Sequence, residues 1–247
     1  MEKMDYEDFA DKFGKWAPLF KKFIESKDMF DIYARLKADA QTDIIVPGHE
    51  NVFKVFQLTD PDDIKCVFYL MDPYPKRYKN GILHATGIPM DCSNSADGKL
   101  QPSLQKFYEG IERCTKTKFD YSTSLKYLLD QGCLLMNTDL TCKLNKTSSH
   151  KGLWIKFQQY FLEQIMYDKI GITYVLCGDV SHKMERFINP IGNFIYKLEH
   201  PVSASYKNLD WNHKNIFTII NRVAKDYGKK EIDWKPKILE NATVEIK

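Results

Sequence analysis

Lys65-Cys66-Val67-Phe68-Tyr69-Leu70-Met71 runs almost without a polar break into Asp72-Pro73-Tyr74-Pro75. The run is short, apolar and rich in β-formers, and paired prolines end it abruptly, which predicts a buried strand rather than a helix. The same signature recurs three times. Gly132-Cys-Leu-Leu-Met136 ends at Asn137-Thr138, Ile172-Thr-Tyr-Val-Leu-Cys177 at Gly178-Asp179, and Phe194-Ile-Tyr-Lys-Leu198 at Glu199-His200-Pro201. Helical periodicity fills the intervals, over Leu104 to Cys114, Leu125 to Asp130, Gly152 to Tyr167, His182 to Phe187 and about Lys214 to Tyr227. Strands alternating with helices predict βαβ units and a largely parallel sheet covered on both faces.

Upstream, Phe9, Phe13, Trp16 and Phe20, then Met29, Ile32, Tyr33 and Leu36, repeat at helical spacing from Tyr6 to about Gln41, with Pro18 breaking or restarting the helix. Pro47-Gly48 then opens a loop that leads into a short amphipathic helix. This divides the chain into a helical segment, 1–43, packed on a catalytic core, 44–247, the two forming one domain.

The 247 residues can bury a sizeable core without staples. With 36 Lys and Arg against 33 Asp and Glu, the net charge of +3 excludes a histone-like polycation while permitting a locally basic face. No apolar run approaches the roughly 20 residues that cross a bilayer, and the N-terminus has no apolar leader, so the protein is expected in the cytoplasm or nucleus. The six cysteines show no Cys-x-x-Cys spacing or histidine pairing, and several fall inside apolar runs, so they read as reduced core residues and no metal is expected.

In an open parallel sheet, ligands bind beyond the carboxyl ends of the strands. Those ends carry Asp72, Asn137 and His200. Each alone reads as an ordinary cap or turn residue. An acid, an amide and an imidazole converging on one crevice form a catalytic set.

The surrounding residues resemble family 1 uracil-DNA glycosylases. Val46-Pro-Gly-His-Glu-Asn-Val-Phe-Lys-Val-Phe followed by the strand and Asp72-Pro-Tyr74 is similar to the family's P-G-x-x-V-F segment and its DPY motif. Pro102-Ser-Leu, Gly132-Cys-Leu-Leu-Met-Asn-Thr-Asp-Leu-Thr141, Ser149-His-Lys, His200-Pro and Ile232-Asp-Trp234 resemble its later motifs in the same order. Pro75 after the DPY, with Gly87-Ile-Pro-Met, is closest to the poxvirus-type members.

The resemblance implies a three-layer α/β/α fold around a mainly parallel four-stranded sheet. It implies a monofunctional, metal-independent hydrolase, without cofactor, that removes uracil from DNA and leaves an abasic site for base-excision repair. Asp72 would stabilise the positive sugar and position a water; His200 would donate to the base O2. Asn137 would read the pyrimidine edge, and Tyr74 would exclude a 5-methyl group. Met71 and Met90 complete the pocket, standing where the family has Gln and a stacking Phe. The DNA contacts implied are Pro102, Ser103, His150, Ser203 and Ser205. For His150 a loop histidine bonded to backbone is the competing reading, and for the serines a turn role; Lys76-Arg77-Tyr78-Lys79 reads as a solvated loop in preference to a contact with the DNA backbone. Ala204 falls where the family has a leucine wedge and is too short to plug a base stack, which leaves Tyr206 or Leu209 to substitute and predicts a preference for single-stranded or weakened sites. Strand alternation would turn Glu199 away from His200 to pair with a lysine elsewhere, whereas a Glu199 facing His200 would favour imidazolium, and the sequence leaves both open.

The expected partner is DNA, single-stranded or a uracil-containing duplex, with a proteinaceous inhibitor or replication partner besides; no membrane is involved, and the protein is expected to be a monomer. Two other readings stand: a same-fold glycosylase for a modified pyrimidine, and a DNA-binding or replication-accessory module whose catalysis is secondary.

Overall fold

The computed structural model describes residues 4–212 and 214–236, so the ends of both expected segments, 1–3 and 237–247, lie outside the described residues. Three helices lead: α1 (Glu7–Phe13), α2 (Ala17–Ile24) and α3 (Lys27–Asp39). A single 3₁₀ turn, Gly14–Trp16, breaks the helix ahead of Pro18, which sits in the first turn of α2, where its missing N–H costs nothing. Ser26 caps α3 by accepting the Met29 N–H at 3.3 Å.

After β1 (Ile45–Val46) and α4 (Lys54–Gln57) come β2 (Cys66–Leu70), α5 (Pro102–Thr115), α6 (Lys126–Leu129) and β3 (Cys133–Asn137). Then follow β4 (Cys142–Lys143), α7 (Ile155–Tyr160), β5 (Thr173–Cys177), α8 (Asp179–His182), β6 (Phe194–Leu198), α9 (Pro201–Tyr206) and α10 (Ile216–Asp226). All four anticipated strands form one parallel sheet in the order β3-β2-β5-β6. Every residue of β2, β3 and β5 is buried, as continuous apolar runs require. The fourth is a correction: β6 is only partly buried, with Lys197 exposed. It is one of the two sheet edges, the other being the fully buried β3, and its lysine discourages pairing with another chain.

Alternation along β2 sends neighbouring side chains to opposite faces. Phe68 meets Phe107 of α5, Phe217 of α10 and Trp234. Tyr69 goes the other way and donates its hydroxyl to Gln158 Oε1 of α7 at 3.0 Å. The result is three layers, α/β/α. The N-terminal helices join the Tyr69 side: Phe20 stacks on Phe157 with ring centroids 5.1 Å apart, and Phe13 lies 4.3 Å from Phe53. All belong to one continuous apolar core.

Three local features differ from the sequence reading. The stretch expected to be helical over 152–167 holds α7 and then widens into a π turn, Phe161–Ile165. Asp179 to Phe187 is α8 followed by a 3₁₀ turn. The segment after His200, for which the sequence reading named no helix, is the helix α9.

Candidate active site

The carboxyl ends of β2, β3 and β6 open onto one cavity of about 350 Å³, within the size range of small-molecule pockets. Asp72, Asn137 and His200 all line it, together with Met71, Tyr74 and Met90.

Asp72 leaves β2 through Met71, and the strand end is pinned at Leu70. The Leu70 carbonyl accepts from the Thr138 N–H (2.9 Å), the Thr138 hydroxyl (2.8 Å) and the Ser181 hydroxyl (2.9 Å). One Asp72 oxygen, Oδ2, accepts the Ser148 N–H at 2.6 Å. No described residue donates to its other oxygen, which is free to accept a hydrogen bond. Burial raises the Asp72 pKa above the usual carboxylate value, and the Ser148 N–H pulls the other way.

His200 follows β6 and is the N-cap of α9. Its Nδ1 accepts the Val202 N–H at 3.2 Å, so the neutral ring carries its proton on Nε2. Burial lowers its pKa to about 4, so the ring is neutral throughout the physiological range. The site therefore holds an uncharged imidazole whose free nitrogen is a donor. Gly178 permits this placement: its φ is +90°, and a Cβ added there would lie 3.2 Å from His200 Cβ. Glu199 pairs with Lys207 at 3.0 Å, as the alternation of a strand suggested.

Asn137 closes β3. Its carbonyl is held by Gln158 Nε2 at 2.9 Å, while no described residue takes up its side-chain amide. Such an amide offers both a donor and an acceptor to a ring edge. Tyr74 is fixed by a hydrogen bond between its hydroxyl and Ser103 Oγ, and it also donates to the Met90 carbonyl at 3.4 Å. Met90 is 5 % exposed and adopts φ +64°, a left-handed conformation that an unbranched side chain tolerates only under local constraint.

The residues anticipated as DNA contacts are placed differently from one another. Pro102 and Ser103 line the cavity at the start of α5, but the Ser103 hydroxyl is committed to Tyr74. His150 is turned inward and corrected on both readings. Its Nδ1 accepts from Thr141 Oγ1 at 2.8 Å, a hydroxyl that itself accepts the Trp154 indole N–H, and its Nε2 lies 3.4 Å from Asp39 Oδ2. The ring is buried, so it offers nothing to a surface phosphate and bonds to side chains rather than backbone. Ala204 is also buried and cannot reach a duplex. Ser203 and Ser205 are partly buried on α9, and Tyr206, at its end, is 83 % exposed and lines the cavity mouth.

Two residues escaped the sequence reading. Asp139 is 3 % exposed; burial and the Asp72 carboxylate raise its pKa to about 6, against the opposing Gly152 N–H, donated to Oδ1 at 3.0 Å. It follows the polar pair Asn137-Thr138 just past β3, so nothing in the sequence set it apart. His84 lines the cavity with its ring 4.0 Å from that of Tyr78; nothing in the sequence singles it out. Among the described residues no cluster of potential metal ligands occurs.

The chain is similar over most of its length to curated proteins named uracil-DNA glycosylase. That of Flavobacterium johnsoniae is 26 % identical over 223 residues, covering 90 % of this chain and 97 % of the relative. That of Francisella tularensis subsp. novicida is 29 % identical over 226 residues, covering 89 % and 94 %. No family model matches. Among solved structures, mimivirus uracil-DNA glycosylase superposes with a TM-score of 0.82 at 22 % identity, covering 96 % of this chain and 95 % of the other. A point variant of mimivirus UNG in complex with UGI gives 0.83 at 21 % identity, covering 95 % and 92 %. These superpositions establish the fold.

Proposed function

We propose that this chain is a uracil-DNA glycosylase that hydrolyses the bond between uracil and deoxyribose and leaves an abasic site. The observation that carries the reading is the convergence of Asp72, Asn137 and His200 on one cavity beside Tyr74. The similarity to curated glycosylases along nearly the whole chain supports it.

Breaking the C1′–N1 bond sends its electron pair to the base and leaves positive charge on the sugar. Stabilisation is needed at both ends. The Asp72 carboxylate faces the positive sugar, and its unbonded oxygen takes a proton from the water whose oxygen adds to C1′. The His200 Nε2–H donates to the O2 that gains negative charge. A neutral donor does this without surrendering its proton. Asn137 reads the N3–H and O4 edge, and the Tyr74 ring excludes a 5-methyl substituent. No step calls on a metal or cofactor.

The base must leave its stack to enter the cavity. Tyr206, exposed at the cavity mouth, takes the place that the buried Ala204 cannot fill as a wedge. The Pro75 variant and Gly87-Ile-Pro-Met support a poxvirus-type relationship. The protein would act as a monomer on single-stranded or duplex DNA, and the mouth that receives DNA is where a proteinaceous inhibitor or replication partner would compete.

The test is incubation with oligonucleotides carrying uracil, thymine or a modified pyrimidine, without added metal, followed by alkaline cleavage at abasic sites. Uracil-specific cleavage is expected. Binding without excision of any base would favour an accessory module, and excision of only the modified base a different specificity.

A further inference from the structure

Between Tyr74 and the cavity residue Met90, the chain builds an arm outside the main sheet. Arg77 bridges Leu83 in antiparallel fashion. The Tyr78 N–H reaches the Ile82 carbonyl at 2.8 Å, and the His84 N–H the Lys76 carbonyl at 2.9 Å. The turn Lys79-Asn80-Gly81 closes it, with Gly81 at φ +83° and Asn80 Oδ1 accepting the Ile82 N–H at 3.1 Å. The Tyr78 and His84 rings pack together at 4.0 Å. At its base, the Leu83 carbonyl is held by Asn94 Nδ2 at 2.9 Å and the Pro75 carbonyl by the Asn145 N–H at 2.6 Å. This is a built element, not a slack loop.

Its charge is unbalanced. Lys76, Arg77 and Lys79 are exposed, and no carboxylate of the described residues lies within ion-pair distance of any of them. Three other lysines near the site are neutralised: Lys143 by Asp39 and Asp43, Lys146 by Asp43, and Lys207 by Glu199. Lys76 and His84 line the cavity, so the cationic arm forms part of its lip.

Resting on the proposed excision activity, we infer that the Lys76–His84 arm grips the phosphates that flank the extruded nucleotide on the damaged strand. A strand whose base enters the cavity must carry its adjoining phosphates over that lip. Three uncompensated cations within four positions then supply an electrostatic contact separate from α9 and Tyr206. The contact neutralises backbone charge and is therefore indifferent to sequence.

The test measures binding of a fluorescent single strand of about 12 nucleotides, long enough to span a typical single-strand site and containing one tetrahydrofuran abasic analogue. Anisotropy is read from roughly 50 to 200 mM NaCl for the intact protein, K76Q/R77Q/K79Q, and the charge-matched control K22Q/K37Q/K225Q on helices that do not line the cavity. Losing two or three phosphate contacts should reduce the slope of log affinity against log salt by about 1.4 to 2.1 in the first variant. The control should keep the slope, and the first variant should keep kcat at saturating substrate with a raised KM. Equal slopes for both variants would overturn the assignment. Intact protein that binds but releases no uracil would instead sink the excision reading, while the slopes would still decide the role of the arm.

Discussion

Each proposed catalytic side chain is tied at one atom and free at another. Asp72 is anchored through Oδ2 and His200 through Nδ1. Asp72→Asn removes the charge that faces the sugar and the acceptor for the water proton, and should lower kcat by roughly 10²–10⁴-fold. His200→Ala removes one donor to a developing anion, worth about 10²–10³-fold, while affinity for abasic DNA persists. Single-turnover excision and anisotropy check both. Asp139 carries a stability consequence. Its folded pKa of about 6 lies above the ordinary aspartate value of 3.8, so between those values the unfolded chain has already released a proton that the folded chain retains. Stability conferred at that residue therefore falls as pH rises from about 4 to 6 and stays low above. Asp139→Asn should raise stability at pH 8 by about 2 kcal/mol and much less at pH 4, as urea denaturation at the two pH values will show. Asp72, Asn137 and His200 were legible because strand ends mark sites in parallel sheets. His150 was misread because Asp39 of α3, which faces its Nε2, lies far away in the sequence and meets it only when the chain folds.

Strands were the most legible elements, since burial on both faces writes itself as an unbroken apolar run. The partial exposure of β6 was not legible, because an apolar run does not say how completely the flanking layers cover it, and the other edge strand, β3, is fully buried. Nor was α9, whose six residues begin with a proline that suits a helix start and a turn equally. That helix matters twice, because its first turn orients His200 and its end presents Tyr206. Gly178→Ala would force a Cβ into contact with His200 from a left-handed backbone, and should cut kcat by up to about 10²-fold while DNA binding is retained. Tyr206→Ala should lower excision from a U:A duplex while sparing single strands, as rates on the two substrates will show. Equal losses on both would remove Tyr206 from any role in opening the duplex.

Across the whole molecule, the N-terminal helices reach the site through Asp39. On α3, Asp39 lies 2.7 Å from Lys143 Nζ and 3.4 Å from His150 Nε2, bracing the segment that also offers its Ser148 N–H to Asp72. The helices are held by rings: Phe20 lies against Phe56, Phe157 and Phe161. Phe20→Ala should cost about 3–5 kcal/mol of unfolding free energy, measured by chemical denaturation, because the void would be enclosed on every side. That seam also imposes an order on synthesis. Phe13 and Phe20 emerge from the ribosome early, yet Phe157 and Phe161 are made well over a hundred residues later. Until then only Phe53 and Phe56 cover the aromatic faces of the leading helices, so the nascent chain offers a partly sticky surface until the α7 segment has been translated.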